Sequence, residues 1–222
     1  ATVTCYRPLK VTVFATGDEL TQPGVPLKPN HIYDSNRPML LQLLSKHAFL
    51  EVINGGVLPD NEAFIKDKMQ TAAAQSDVVI CSGGASIGDK DYVKQVLTEL
   101  GELEHWKLAI KPGKPFAWGH IGQCKVYLLP GNPVASFVTL KLMTLPSMKC
   151  VAGMLPEKAR PVTWKAQASF SIANNTMKRR DFMRGYIETN EKGIWVTPVK
   201  GQGSHMLSSC MADVLVEVPA QT

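Results

Sequence analysis

The feature that most constrains this chain is the alternation of strand-like and helix-like segments over its first two thirds. Runs rich in β-branched residues, such as KVTVFAT and DVVICS, alternate with segments whose apolar residues recur at helical spacing. The predicted strands lie at 10–16, 51–54, 77–82, 105–110 and 125–129, and the predicted helices at 38–48, 61–74, 92–100 and 134–143. Strands separated by helices of this length favour a parallel sheet with helices on both faces.

The pattern changes near Leu155, where Pro156 and Pro161 mark a linker. Beyond the linker, turn residues separate short strand-like runs at 162–171, 182–188, 194–197 and 214–218, with a hairpin turn at 190–193. This part of the sequence has no helical pattern. We therefore predict two domains, an α/β domain at 1–155 and a small all-β domain at 156–222.

Composition narrows the classes of function. The 24 Lys and Arg against 19 Asp and Glu leave a net charge of +5, a weak indication of nucleic acid binding. A hydrophobic fraction of 45% excludes intrinsic disorder. The five cysteines form no CxxC pair, which argues against a zinc site and a disulfide scaffold. No run approaches the roughly 18 apolar residues of a membrane span. We expect a cytoplasmic protein with neither nucleic acid nor membrane as a partner.

Polar loops follow the predicted strands of the first domain. They are TGDEL at 16–20, the loop at 33–37, the glycine-rich loop at 83–91, KPGKP at 111–115 and PGNP at 130–133. In an open parallel sheet the carboxyl ends of the strands share one edge, and ligands bind in the crevice there. The sequence therefore predicts that these loops converge on one site.

Glycines and lysines in these loops suit an anionic ligand. Gly83 and Gly84 would let backbone N–H groups approach an anion beside a helix N-terminus, although structural turns use glycine pairs about as often. Lys107, Lys111 and Lys114 lie within eight residues. Lys107 and Lys111 are four apart, so one extended segment would point both the same way. An anion contact and a solvated basic strand end fit this segment equally well. The same two alternatives apply to KRRDFMR in the small domain.

Several acids are predicted at the same edge: Asp18, Glu19, Asp34, Asp60, Asp89 and Asp91. Carboxylates that face a phosphate site are costly unless a hard cation such as Mg²⁺ bridges them. Some of them also fit plain structural roles, since Asp89 could cap the following helix and Asp34 could close an Asx-turn. Acids, lysines and glycine loops on one edge together indicate a phosphorylated ligand and metal assistance.

The ordered motifs TGDEL, IYDSNR, SGGASIGDKDY, KPGKP and LPGNPV resemble those of the molybdopterin molybdenumtransferase family. The resemblance covers nearly all of the chain. It implies a three-layer αβα domain with a mostly parallel sheet, followed by a small β-barrel domain. It also implies that the substrates are molybdate and adenylylated molybdopterin, that AMP is released, and that Mg²⁺ or Zn²⁺ assists.

The resemblance implies a role for each matching residue. The implied catalytic residues are Glu19, Asp60, Asp91, Lys107 and Lys111, and Asp60 and Asp91 are also the implied metal ligands. The implied contacts to pterin, phosphate or oxyanion are Ser82, Gly83, Gly84, Lys114, Gly131, Asn132, Pro133 and Arg184. Many members read PVS after the PGN turn, whereas this chain has Ala135 in place of that serine, followed by Ser136.

Members of the family carry two further domains ahead of TGDEL and form homodimers, so we expect this chain to be the C-terminal part of a larger enzyme. Two other functions stay open, a molybdopterin adenylyltransferase and a non-catalytic molybdopterin-binding or scaffold module. The β-rich tail counts against the first. The acids and lysines of the predicted site count against the second.

Overall fold

The computed structural model of the chain describes residues 2–85, 92–171, 178–203 and 211–220. Its strands are β1 (Leu9–Thr16), β2 (Leu20–Thr21), β3 (Ile32–Tyr33), β4 (Leu50–Leu58), β5 (Val78–Ser82), β6 (Glu102–Lys107), β7 (Ile110–Lys111), β8 (Pro115–Ile121), β9 (Cys124–Leu129), β10 (Gln167–Ala168), β11 (Arg180–Asn190), β12 (Gly193–Pro198) and β13 (Val214–Val218). Its helices are α1 (Asn36–Leu44), α2 (Glu62–Gln75), α3 (Tyr92–Leu100), α4 (Pro133–Thr139), α5 (Leu145–Val151) and α6 (Pro156–Ala159), and a π-helical turn at Leu140–Thr144 joins α4 to α5.

The central sheet has six strands in the order β4-β1-β5-β9-β8-β6. Strands β4, β1, β5 and β9 are parallel, whereas β8 is antiparallel to both of its neighbours. The predicted α/β class with a mostly parallel sheet is therefore confirmed. The sequence analysis missed β8, because Pro115 and Gly119 interrupt its strand pattern. Gly119 is needed there, since a Cβ at this position would overlap the carbonyl of Glu102 on β6.

Helices cover both faces of the sheet, as the spacing of strands and helices predicted. On one face α2 and α3 pack through a buried cluster that includes Ile65, Met69 and Val96. On the other face α1 and the helix that begins at Pro133 pack through Leu40 and Leu140. These two layers fix the sheet, so its carboxyl edge is a rigid base for the loops that follow the strands.

The helix from Pro133 to Val151 changes its hydrogen bonding midway. Pro146 has no N–H to donate and its ring clashes with the preceding turn. The N–H of Leu145 accordingly donates to the carbonyl of Leu140, five residues back, which makes a π-helical turn. The sequence predicted this helix only at 134–143, because a proline usually ends a helix.

The same helix is long and apolar. Within the described part of the chain, Pro133–Val151 is the segment long and apolar enough to cross a membrane. Half of the tested window is buried inside the fold, where Met148 is fully covered. Burial of this kind is what a core helix of an α/β domain shows.

The small β domain is built on the eleven-residue strand β11. Strand β12 returns from β11 through the predicted hairpin at Asn190 and Gly193, and β13 also pairs antiparallel with β11. The predicted small β domain is confirmed over its described residues, although the short helix α6 at Pro156–Ala159, where no helix was predicted, precedes its strands. The strand predicted at 162–171 was mostly wrong, because only β10 forms there. Val162 and Trp164 are instead 74% and 67% exposed.

His47, in the turn between α1 and β4, makes the stability of the fold depend on pH. Burial lowers the pKa of His47 from its usual 6.5, and the charges of Lys141 and Lys149 lower it further. The unfolded chain then takes up the proton at higher pH than the folded chain, so stability is lost as the pH falls below 6.5. His47→Gln should remove part of this loss. The measurement is the free energy of unfolding in urea at about pH 7.5 and about pH 5.5, and an unchanged pH dependence would contradict the assignment.

Candidate functional site

The loops that follow the parallel strands are tied together at one edge of the sheet. The N–H of Gly17, after β1, donates to the carbonyl of Leu58 at the end of β4 (3.4 Å). The N–H of Gly83, after β5, donates to the carbonyl of Leu129 at the end of β9 (3.1 Å). Gly83 has φ +96°, and a Cβ there would lie 2.7 Å from Cγ2 of Thr16, so this approach requires glycine. The loops after β1, β4, β5 and β9 converge as the sequence predicted.

The TGDEL turn holds two of the predicted acids at this edge. Glu19 is exposed, and its carbonyl accepts a hydrogen bond from the N–H of Ile32 (2.9 Å). The carboxylate of Asp18 accepts from the backbone N–H of Asp60 (2.9 Å), which links the loop after β1 to the loop after β4. The side chain of Asp60 is exposed at the same edge. Asp18 is therefore a positioning residue, a role that the TGDEL motif did not predict.

Asp34 and Arg37 of the IYDSNR motif form a buried ion pair. The carboxylate of Asp34 accepts from the backbone N–H of Arg37 (3.0 Å) and from its Nε (2.8 Å). Arg37 also donates through Nη1 to Oδ1 of Asn54 on β4 (2.7 Å). Asp34 is 1% exposed and Arg37 6% exposed. This network fixes the start of α1 against the sheet. It differs from the Asx-turn considered for Asp34 from sequence, because the carboxylate accepts from the N–H three residues on rather than two.

The start of α1 in turn holds the PGNP loop. Nδ2 of Asn36 donates to the carbonyl of Gly131 (2.8 Å). Oδ1 of Asn132 accepts from the N–H of Ala135 (3.1 Å) and so caps α4, while Pro133 is the first residue of that helix. The side chain of Asn132 thus has a structural partner, and its predicted contact to substrate stays a prediction.

Three buried polar atoms around the PGNP loop have no hydrogen-bond partner among the described residues. They are Oδ1 of Asn36, Oγ of Ser82 and Oγ of Ser136. Ser82 lies beside Leu129 in the β5–β9 register, and the N–H of Ser136 donates to the carbonyl of Asn132. Buried polar atoms almost always have partners in folded proteins. Three of them around one loop therefore mark a place where polar groups of a ligand can bind. Ser82 was predicted from its motif, whereas Asn36 was missed, because only the tertiary fold brings α1 beside the PGNP loop.

The predicted lysines lie on the side of the edge formed by the KPGKP loop. The sequence analysis placed Lys107 and Lys111 on one extended segment, and this was wrong. Strand β6 ends at Lys107, the chain turns at Leu108, and β7 joins the sheet of the small domain. The N–H of Leu108 donates to the carbonyl of Lys114 (2.8 Å), which closes the loop. Lys107 and Lys114 are exposed, whereas Nζ of Lys111 lies 3.3 Å from Oδ2 of Asp181.

Arg184 is buried inside the small domain, on β11. It is 2% exposed, and its Nη2 donates to the carbonyl of Gly203 (2.9 Å). Burial lowers the pKa of Arg184, and the charge of Asp181 acts in the opposite direction. The predicted contact of Arg184 with an oxyanion stays a prediction.

The structure describes one of the two predicted metal ligands. Asp60 lies at the edge, next to the carboxylate of Asp18, while Asp91 lies outside the described residues. Over residues 2–85, 92–171, 178–203 and 211–220, no group of three or more His, Cys, Asp or Glu is arranged to hold a metal ion. The donors present are carboxylate oxygens, which suit a hard cation such as Mg²⁺.

This arrangement defines a class of protein: an α/β domain whose loops converge at the carboxyl edge of its sheet, joined to a small β domain through the pairing of β7 with β11. Two models of known families match the chain. A family model described as a probable molybdopterin binding domain matches residues 12–149, and one described as the MoeA C-terminal region (domain IV) matches residues 165–222. The chain belongs to the molybdopterin molybdenumtransferase family.

Individual relatives agree with this assignment. The chain is 43% identical over 210 residues to the molybdopterin molybdenumtransferase of Haemophilus influenzae, an alignment that covers 94% of this chain and 51% of the relative. It is 35% identical to the molybdenum cofactor synthesis protein cinnamon of Drosophila melanogaster, covering 96% of this chain and 35% of that protein. A solved molybdopterin biosynthesis MoeA protein from Pyrococcus horikoshii superposes with a TM-score of 0.74 at 33% identity, over 96% of this chain and 50% of its own. The chain thus spans about half the length of the curated molybdenumtransferase it matches.

Proposed function

We propose that this chain binds adenylylated molybdopterin and molybdate, and takes part in the insertion of molybdenum into molybdopterin with release of AMP. The carrying observation is the group of buried polar atoms without partners at Asn36, Ser82 and Ser136. They surround a loop at the sheet edge where α/β proteins bind ligands. The family model is described as molybdopterin-binding, and the Haemophilus influenzae relative is named molybdopterin molybdenumtransferase, which supports this choice of ligand.

The charges on the two sides of the crevice suit the two halves of the reaction. Molybdate is a dianion, and charge-assisted hydrogen bonds from lysine and arginine are the strong contacts for such an ion. In this proposal Lys107, Lys111, Lys114 and Arg184 bind molybdate or the pterin phosphate. Glu19 and Asp60, across the edge, act where the phosphoanhydride is cleaved and AMP departs.

We further propose Mg²⁺ as the assisting cation, held by Asp60 and Asp91. Asp60 and its neighbour Asp18 offer only oxygen donors, which suits Mg²⁺ better than Zn²⁺. When bound, such a cation draws negative charge off the departing phosphate. The protein's own part is to hold Asp60 in place through the hydrogen bond from its backbone N–H to Asp18.

The remaining features of the proposal concern the whole protein. We propose a homodimer, a cytoplasmic location and a domain boundary near residue 155. The family matches to residues 12–149 and 165–222 support the proposed boundary. A stand-alone adenylyltransferase is not favoured, because the small β domain supplies a strand partner to the KPGKP loop. A scaffold is not favoured, because the acids and lysines of the predicted site are present.

Ser82→Ala separates ligand binding from stability. The hydroxyl of Ser82 is buried and unpartnered among the described residues, so its removal should leave the free energy of unfolding unchanged or slightly higher. If the hydroxyl binds the ligand, the dissociation constant for adenylylated molybdopterin should rise by about 2- to 10-fold. Titration calorimetry of the protein that carries this chain measures the constant.

Thr144→Val is the matched control for this substitution. Oγ1 of Thr144 is also buried and without a partner in the described part of the chain, but it lies in the π-helical turn, away from the carboxyl edge. The variant should bind the ligand like the wild type. If Ser82→Ala and the wild type bind the ligand with equal affinity, the buried hydroxyl of Ser82 does not bind it, and the main support for the proposed function is lost.

A further inference from the structure

The KPGKP loop belongs to both domains. Its strand β7 leaves the α/β domain and pairs in parallel with the start of β11, with Ile110 opposite Arg180 and Lys111 opposite Asp181. The N–H of Arg180 also donates to the carbonyl of Ala109 (2.9 Å). A two-residue strand of the first domain therefore completes the sheet of the second.

This register places the side chains of Lys111 and Asp181 side by side, because paired residues of neighbouring strands project to the same face. Nζ of Lys111 lies 3.3 Å from Oδ2 of Asp181. The Asp181 side chain is 13% exposed, and that of Lys111 is 48% exposed. The carboxylate is thus fixed in the domain junction, while the ammonium reaches from it toward solvent.

We propose that Asp181 is a positioning residue for the predicted oxyanion site, holding Lys111 and the KPGKP loop of the α/β domain against β11 of the small domain. This inference rests on the proposed function. Asp181 touches no reacting atom in this account. It acts through Lys111, by fixing the ammonium and the KPGKP loop at the domain junction.

The sign of the expected effect follows from two opposing contributions. Removal of the carboxylate takes away the ion pair that holds the Lys111 ammonium at the junction, so order lost there must be restored when an anion binds, which weakens binding. It also removes a repelling charge, but Lys111 is half exposed and water and salt screen that contribution. The loss of order therefore dominates.

The test is a double-mutant cycle with sodium molybdate as the probe. Asp181→Asn should raise the dissociation constant for molybdate by about tenfold at physiological ionic strength. In a Lys111→Gln background the same change should alter the constant less than about twofold, because the side chain through which Asp181 acts is gone. Tighter binding by Asp181→Asn, or equal effects in both backgrounds, would overturn the proposal.

Glu188→Gln is the charge-matched control. Glu188 lies on the same strand, is exposed and pairs with β12 rather than β7, so its loss should leave molybdate binding unchanged. If Asp181→Asn fails to fold, the charge swap of Lys111→Asp with Asp181→Lys takes its place, because it restores an ion pair across the same register. Protection of the KPGKP loop from amide hydrogen exchange in this variant then tests the proposal.

Amide hydrogen exchange of residues 108–115 gives a readout independent of molybdate. Exchange should be faster in Asp181→Asn than in the wild type, unchanged in Glu188→Gln, and slow again in the charge swap. Absence of molybdate binding by the wild type would count against the proposed function alone. The exchange rates would still decide whether Asp181 positions the loop, and an unchanged rate in Asp181→Asn would overturn the inference.

Discussion

Replacement of Asp34 by alanine is expected to lower the free energy of unfolding by about 3–5 kcal/mol. The substitution leaves the guanidinium of Arg37 buried without its carboxylate, and also removes the acceptor for the Arg37 backbone N–H. A loss of this size is a large share of the stability of an ordinary domain. Urea denaturation followed by circular dichroism measures it.

Two further variants make this result specific. Asp34→Ala combined with Arg37→Met should recover part of the loss, because no uncompensated charge then stays buried. Glu99→Gln removes an acid from an ion pair of the same 2.8 Å length with Lys66, but that pair is exposed, so little change is expected. A loss in Asp34→Ala no larger than in Glu99→Gln would show that the buried pair does not hold α1 in place.

Asp60→Asn is expected to reduce the rate of molybdate-dependent AMP release by about 10²–10³-fold. The structural hydrogen bond at this position is donated by the backbone N–H of Asp60 to Asp18, and asparagine keeps that N–H. What the substitution removes is the exposed charge that the proposal assigns to the metal-assisted step. AMP release by the protein that carries this chain is the assay, with thermal unfolding measured in parallel.

Asp67→Asn is the control for this experiment. Asp67 is an exposed acid on α2, the helix that follows the Asp60 loop, and lies away from the crevice. Its loss should leave both the rate and the stability unchanged. Full activity of Asp60→Asn would refute the assigned role of Asp60, and an equal loss in both variants would point to net charge rather than to a site.

The sequence predicted those parts of the fold that local patterns determine. Period-two and helical patterns were sufficient for the parallel strands of the central sheet, for both helical layers and for the hairpin of the small domain. The errors occur where a local signal is overruled by tertiary contacts. Pro146 ends a helix by propensity, yet burial of α5 against the sheet carries the helix through a π-helical turn. Strand β8 contains Pro115 and Gly119, and its antiparallel neighbours still pair with it.

The same distinction applies to the candidate site. Ser82 and the PGNP loop could be predicted, because each sits in a motif directly after a strand. Asn36 could not, since its relation to Gly131 spans the fold. The lysine loop was misread for a similar reason, because an even spacing says nothing about a turn at Leu108 that moves Lys111 into another sheet.

The pairing of β7 with β11 has a consequence for the order in which the protein matures. Lys111 and Asp181 are 70 positions apart, and contacts of such long range form late, after the loop between them has closed. During synthesis the central sheet can assemble while β11 is still unmade. A nascent chain at that stage has its crevice but not its anchored lysine loop. The lysine loop is therefore anchored only after β11 has been made.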